Sequence, residues 1–139
     1  MDGFPVAVEV QPRFRDTDAM GHVNNAVYIT YFEVVRAEYW LRLTGLREYQ
    51  RVPFILAHVT ADFRSAALIG EKLEVGMRIS RLGTKSFDAE YRIETAGGRR
   101  PIAEGRSVMV MYDYDKDESF AIPEDLKGKV RALEQRPEL

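Results

Sequence analysis

The sequence predicts an α+β fold in which one five-stranded antiparallel sheet curls around one long helix, with a short helix near the C-terminal end. Three observations carry this. Residues 26–43 form a helical pattern whose only polar members are Thr30, Glu33, Arg36, Glu38 and Arg42, so the helix is apolar on nearly every side and is expected to be covered on most of them. Five other stretches read as strands, most of them alternating between apolar and polar residues. The lengths also match: a ten-residue strand reaches ~33 Å, and the helix reaches ~27 Å. A sheet wrapped around the helix buries the helix and only one face of each strand.

The elements follow in chain order. Residues 6–15 alternate, with Val8, Val10 and Phe14 on one side against Glu9, Gln11, Arg13 and Arg15, and Pro12 marks an edge or bulge near the end. An acidic loop, Asp16-Thr17-Asp18, and a turn, residues 19–23, lead to Asn24-Asn25, which are helix-cap candidates. Gly45 ends the helix, and residues 44–53 read as polar and irregular. Residues 54–64 become a strand, with Val59, Ala61 and Phe63 set against Thr60, Asp62 and Arg64. Leu73, Val75, Met77 and Ile79 define the next strand, and Phe87, Ala89, Tyr91 and Ile93 the one after. Residues 101–114 are the fifth. Gly70, Gly83 and Gly97-Gly98 mark turns between antiparallel neighbours. Residues 107–112 break the alternation, so both faces there are expected to be covered, one by the core and one by a second subunit. The run Ile122-Pro123-Glu124-Asp125 starts a helix with Pro at its first position, and the charged tail to Leu139 is expected to fray.

Composition narrows the function. At 139 residues the chain is expected to be a single domain over 1–139. A net charge of −2 provides no basic field for nucleic acid, although local cations still suit a small polyanion. With no cysteine there is no disulfide, no thiolate metal site and no cysteine nucleophile. The N-terminal residues show no basic-then-apolar leader, and the long helix carries too many charges to span a bilayer, so a cytoplasmic protein without a membrane partner is expected.

The run Arg13-Phe14-Arg15-Asp16-Thr17-Asp18-Ala19-Met20-Gly21-His22-Val23-Asn24-Asn25-Ala26-Val27-Tyr28 resembles the hotdog-fold acyl-CoA thioesterases of the 4-hydroxybenzoyl-CoA thioesterase class. The segments Tyr31-Phe32-Glu33-x-x-Arg36, residues 81–87 and Ile102-Ala103-Glu104-Gly105 extend the likeness. The resemblance implies a homodimer or homotetramer with active sites at subunit interfaces. It also implies an acyl-CoA substrate, with CoA as part of the substrate and no further cofactor.

Asp18 lies just ahead of a helix N-terminus, where free N–H groups and the positive dipole end favour a carboxylate. By resemblance it is the catalytic aspartate, acting either as nucleophile on a thioester carbonyl or as general base toward water. Read from the residues alone, it is a loop-bracing aspartate. Asn25, by resemblance, offers its backbone N–H to the carbonyl oxygen. His22, Asn24 and Tyr28 line the pocket on the same reading, with helix capping an equal role for Asn24. Asp16 alternates with Asp18, so in an extended segment the two face the same way; an ion pair with Arg13 or Arg15 is its expected role. By resemblance Arg81, Lys85 and Ser86, around Gly83, meet the phosphates and pantetheine arm, with Arg64, Arg99 and Arg100 as further charge. Glu33 is a candidate helix-borne catalyst but is expected to pair with Arg36. Asp16, Asp18 and His22 form a weak hard-metal set, and no metal is expected. A serine triad lacks its elbow motif, and the only other histidine is His58. Beside a hydrolase stand a non-catalytic acyl-CoA-binding module and, more distantly, a dehydratase.

Overall fold

A computed structural model describes residues 1–46 and 52–139. The chain runs β1 (Val6–Val10), a single 3-10 turn (Phe14–Asp16), α1 (Asn25–Thr44), β2 (Phe54–Phe63), β3 (Leu73–Leu82), β4 (Ser86–Thr95), β5 (Pro101–Asp113), β6 (Glu118–Ser119) and α2 (Glu124–Glu134). The main sheet is antiparallel throughout in the order β1-β3-β4-β5-β2. The two-residue β6 pairs with the end of β5 and is a sixth strand beyond the five expected.

Helix α1 begins at the Asn24 cap, whose side chain accepts the Ala26 N–H, and ends at Gly45 with φ 74°, a left-handed position that glycine adopts without strain. Its buried residues are Tyr28, Tyr31, Phe32, Val35, Arg36, Tyr39 and Leu43. Their spacing marks one stripe, whereas cover on most sides was expected. Ala26, Thr30, Glu33 and Val34 are exposed, because a single sheet curls over only one side of a helix. Arg36 does not pair with Glu33. Its Nη1 turns inward and donates to the Tyr91 hydroxyl at 2.9 Å, and Tyr91 shares a 2.6 Å hydrogen bond with Ser107.

The inner face of the sheet is the one read from the alternation. Leu73, Val75, Met77 and Ile79 line it from β3, Phe87, Ala89, Tyr91 and Ile93 from β4, and Met109 and Met111 from β5. In register, Met77 lies opposite Tyr91 and Tyr91 opposite Gly105. The Phe32 ring stacks on Tyr91 at 4.6 Å and lies directly over Gly105, where any Cβ would collide with it. The outer face is polar, with Arg78 paired to Glu90 at 2.6 Å.

Three expectations of detail change. The first strand ends at Val10, and Phe14 is 82% exposed, because Asp16 accepts the Arg13 N–H and draws the chain into the 3-10 turn. In residues 107–112 burial within one chain still alternates, with Val108 and Val110 half-buried on the outer face, the face expected to meet a second subunit. Pro123 is the cap before α2 rather than its first residue. The tail packs back, with Leu133 and Leu139 against the core and the Leu139 carbonyl bound by Arg131. Helix α2 is further held where Glu134 accepts the Tyr39 hydroxyl at 2.6 Å and the Ile79 N–H at 2.7 Å. Of the stretch read as irregular, Thr44 belongs to α1, and residues 47–51 lie outside the described residues.

Candidate active site

The loop before α1 closes on Asp18. Its Oδ1 accepts the N–H groups of Met20 at 2.8 Å and His22 at 3.2 Å, while its own N–H donates to the His22 carbonyl at 2.7 Å. Its Oδ2 has no donor among the described residues. The loop is tied to a second segment, residues 64–71, which follows β2. There the Val23 N–H donates to the Ala67 carbonyl at 2.9 Å, and His22 forms a backbone bridge with Leu68.

At the helix start, Asn24 acts as the cap, and its N–H donates to the Asp16 carbonyl at 2.9 Å. The Asn25 N–H, one residue on, has no acceptor among the described residues and lies at the exposed, positive end of α1. Asp18, His22, Asn25 and Tyr28 line one cleft of about 220 Å³. Its far wall is Phe63, Arg64, Ser65 and Ala66, at and just after the end of β2. Asn24 is outside that lining and serves as cap.

Tyr28 is buried, and its hydroxyl accepts the Ala67 N–H at 2.9 Å. Burial, aided by the charges of Glu71 and Asp18, raises its pKa above the usual tyrosine value, so it stays a neutral O–H. Asp16 does not face the way of Asp18, and the 3-10 turn is the reason. Its buried carboxylate holds Arg13 and accepts the Tyr31 hydroxyl at 3.0 Å. Burial pushes its pKa up, but the Arg13 N–H, the Tyr31 hydroxyl and the Arg13 guanidinium together bring it below the ordinary value. The expected Arg13 pair therefore forms, and Asp16 is removed from the metal set. Among the described residues no group of three or more histidine or acidic side chains is placed to hold a metal ion.

The cations gather less than the sequence suggests. Arg81 donates to Asp88 at 3.0 Å and to the Ser86 hydroxyl at 3.3 Å, and the Asp88 bond raises its pKa. Lys85 bonds Ser119 at 3.3 Å. All three sit at the β3–β4 hairpin, near the row Leu82–Phe87–Met109–Leu56, whereas the cleft adjoins the row Val75–Ile93–Ala103–Phe63. The rows are about seven residues, roughly 23 Å, apart. Within one chain, Arg81, Lys85 and Ser86 are not brought to Asp18. Arg64 lines the cleft and pairs with Glu104 at 3.4 Å; Arg100 is bound to Glu71. Phe63, Ser65 and Ala66 were not singled out in the sequence, and no local motif marks them. The Ser65 hydroxyl donates to the Pro101 carbonyl, which leaves it no nucleophile's role.

A wrapped helix, an antiparallel sheet and a carboxylate beside a free helix-start amide define a member of the hotdog group of folds. Comparison bears this out, and the chain belongs to the thioesterase-like superfamily, which it matches over residues 12–130. A thioesterase of Thermus thermophilus, crystallised with coenzyme A and zinc, is 35% identical, with each chain covered to 99% and a TM-score of 0.90. A predicted thioesterase of Bacillus stearothermophilus is 28% identical, with a TM-score of 0.83 over 91% of this chain and 94% of that one. The acyl-CoA thioesterase YbgC of Haemophilus influenzae is 26% identical over 95% of this chain and 97% of its own. Among the described residues no helix is long and apolar enough to cross a membrane.

Proposed function

We propose that this chain, as one domain, hydrolyses an acyl-CoA thioester to the free acid and CoA, as a relative of the 4-hydroxybenzoyl-CoA thioesterase class. The observation that carries the reading is the shared cleft: Asp18 and the unpaired Asn25 N–H line the same wall at the start of α1. The thioester carbonyl oxygen rests on that N–H, which is aimed at the charge the oxygen gains on attack. One such donor is typically worth about 3–4 kcal/mol. Asp18 attacks the carbonyl carbon itself, or takes the proton of a water that does. The C–S bond then breaks and the thiolate takes up a proton to leave as CoA; where Asp18 itself attacked, water then hydrolyses the mixed anhydride left on Asp18 to release the free acid. The neutral Tyr28 hydroxyl and the Phe63 ring wall the acyl side. The scheme needs no metal and no redox cofactor.

The distance between the cleft and the Arg81–Lys85–Ser86 hairpin favours two copies of the chain. Strand β2 is the last strand of the main sheet, and its outer edge is open among the described residues. If two β2 edges pair antiparallel about a twofold axis, the Leu56 end of one copy stands beside the Phe63 end of the other. A homodimer, or a homotetramer built from it, then brings one copy's Lys85 toward the other's Asp18 cleft. The coenzyme A held by the Thermus relative accords with this reading.

A second reading, a non-catalytic acyl-CoA-binding module, draws on the engagement of Asp18 Oδ1 by two loop amides. A thiol-release assay over a panel of acyl-CoA esters decides between the two. Release from any of them supports the hydrolase, and tight ester binding with no release supports the module.

A further inference from the structure

We propose that Arg100 is a positioning residue for the Asp18 loop, acting through the segment that follows β2, and that it takes no part in binding phosphate. The inference rests on the proposed hydrolysis for its kinetic meaning only.

The base of Arg100 is fixed where β4 turns into β5. Its N–H donates to Thr95 Oγ1 at 2.9 Å, and its carbonyl accepts the Thr95 N–H at 3.0 Å. From there the guanidinium closes on residues 65–71 with four bonds. Nη1 donates to Ser65 Oγ and to the Ala66 carbonyl at 2.8 and 2.9 Å, and Nη2 reaches both carboxylate oxygens of Glu71 at 2.8 Å. Glu71 Oε1 also accepts the Leu68 N–H at 2.8 Å, so the same carboxylate turns the segment back on itself. A planar fork binding three residues in fixed directions is an arrangement a lysine ammonium does not reproduce.

What the clamp holds is the end of the cleft's far wall, Ser65 and Ala66, and the residues that follow it. Between Ala66 and Leu68, which Arg100 and Glu71 fix from either side, lies Ala67. Its N–H donates to the Tyr28 hydroxyl, and its carbonyl accepts the Val23 N–H. Leu68 bridges to His22, whose N–H is one of the two that hold the Asp18 carboxylate. Hydrogen bonds joined through short backbone links therefore connect Arg100 to Asp18, by way of Ala66, the Ala67–Val23 bond and His22. Segment 65–71 lies outside β2 and β3, and apart from the Ser65 bonds to residues 101–102, the Val23–Ala67 bond and the isolated Leu68–His22 bridge it has no strand ladder to hold it. A guanidinium with four bonds already made has little left for a phosphate.

The test compares wild type with Arg100→Ala, Arg100→Lys and Glu71→Gln, using hydrogen exchange at backbone amides together with kinetics on an acyl-CoA ester and on the matching short pantetheine thioester. Loss of the clamp is expected to lower protection at Val23 and Ala67 by about tenfold or more while β4 amides keep theirs. It is expected to lower kcat by about tenfold to a hundredfold on both substrates alike, with KM little changed. Free guanidinium restores part of kcat to Arg100→Ala, and Arg100→Lys does not restore it. Glu71→Gln, which leaves the Ser65 and Ala66 bonds in place, gives a smaller loss in the same direction and serves if Arg100→Ala does not fold. Unchanged protection at Val23 and Ala67 overturns the proposal, as does a KM rise confined to the CoA ester. Should wild type release no thiol from any ester, hydrolysis is the reading that fails, and the exchange measurement still decides the clamp.

Discussion

The two ends of α1 are built oppositely. It begins in the open, with Asn24 spent on capping, the Asn25 N–H unpaired, and a polar-rimmed cleft of about 220 Å³ at its foot. It ends under α2, where Tyr39, Trp40 and Leu43 line an apolar void of only about 20 Å³ closed by Ile122, Leu126 and Val130. An open cleft that admits water and ligand suits chemistry, whereas a void with room for about one water and apolar walls offers that water no polar partners and admits no ligand. The same helix therefore serves reactivity at its first turn and stability at its last, and substitutions at the two ends should move different observables.

The largest effect is expected at the open end. Asp18→Asn keeps an oxygen to accept the Met20 and His22 N–H groups, so the loop stands, but the charge is gone. Turnover should fall by about 10²–10⁴-fold with the melting temperature unchanged. Near-normal turnover would remove Asp18 from the chemistry. At the closed end, Met77→Ala removes a buried side chain from the void's wall and should cost about 2–5 kcal/mol in denaturant unfolding. The folded fraction should keep its kcat/KM; a fall there would break the division of labour.

Lys85→Ala tests whether two copies join the ends. It should raise KM for CoA esters about fivefold, the worth of roughly 1 kcal/mol for an exposed charge, and leave a short pantetheine thioester untouched. Equal effects on both would take Lys85 away from phosphate. The smallest effect is at Glu134. Burial raises its pKa above the ordinary 4.5, outweighing the bonds from Ile79 and Tyr39. The folded state therefore holds this proton more tightly than the unfolded chain does. The stability it confers is full below pH 4.5 and is lost as pH rises through its folded value. Glu134→Gln keeps the acceptor oxygen for both bonds and removes a negative charge from the C-terminal turn of α2. It should flatten the fall in stability as pH rises above about 4.5 and raise the melting temperature at neutral pH. An unaltered pH profile would refute that assignment.

Much of the fold was legible because strands β3 and β4 each set one apolar face against one polar face, and period two leaves no other register. The cover of α1 was over-read: Thr30, Glu33 and Val34 share an exposed face, and sequence shows that a helix is apolar, not how many sides one chain covers. The first strand was overrun because the alternation continues past Pro12, while the carboxylate of Asp16 decides the turn. The near wall of the cleft was legible because Asp18, His22, Asn25 and Tyr28 are sequence neighbours around one helix start. The far wall was not, since Phe63, Ser65 and Ala66 arrive from some forty residues away. The pairing of Arg100 with Glu71 was hidden for the same reason, the two being close only after folding.

The ring of Phe32 over Gly105 has an evolutionary consequence. Neither position is free to vary alone: a side chain at 105 demands a smaller residue at 32, and a smaller residue at 32 leaves the Tyr91 ring without its stacking neighbour. Across homologous chains these two sites should therefore drift as a linked pair.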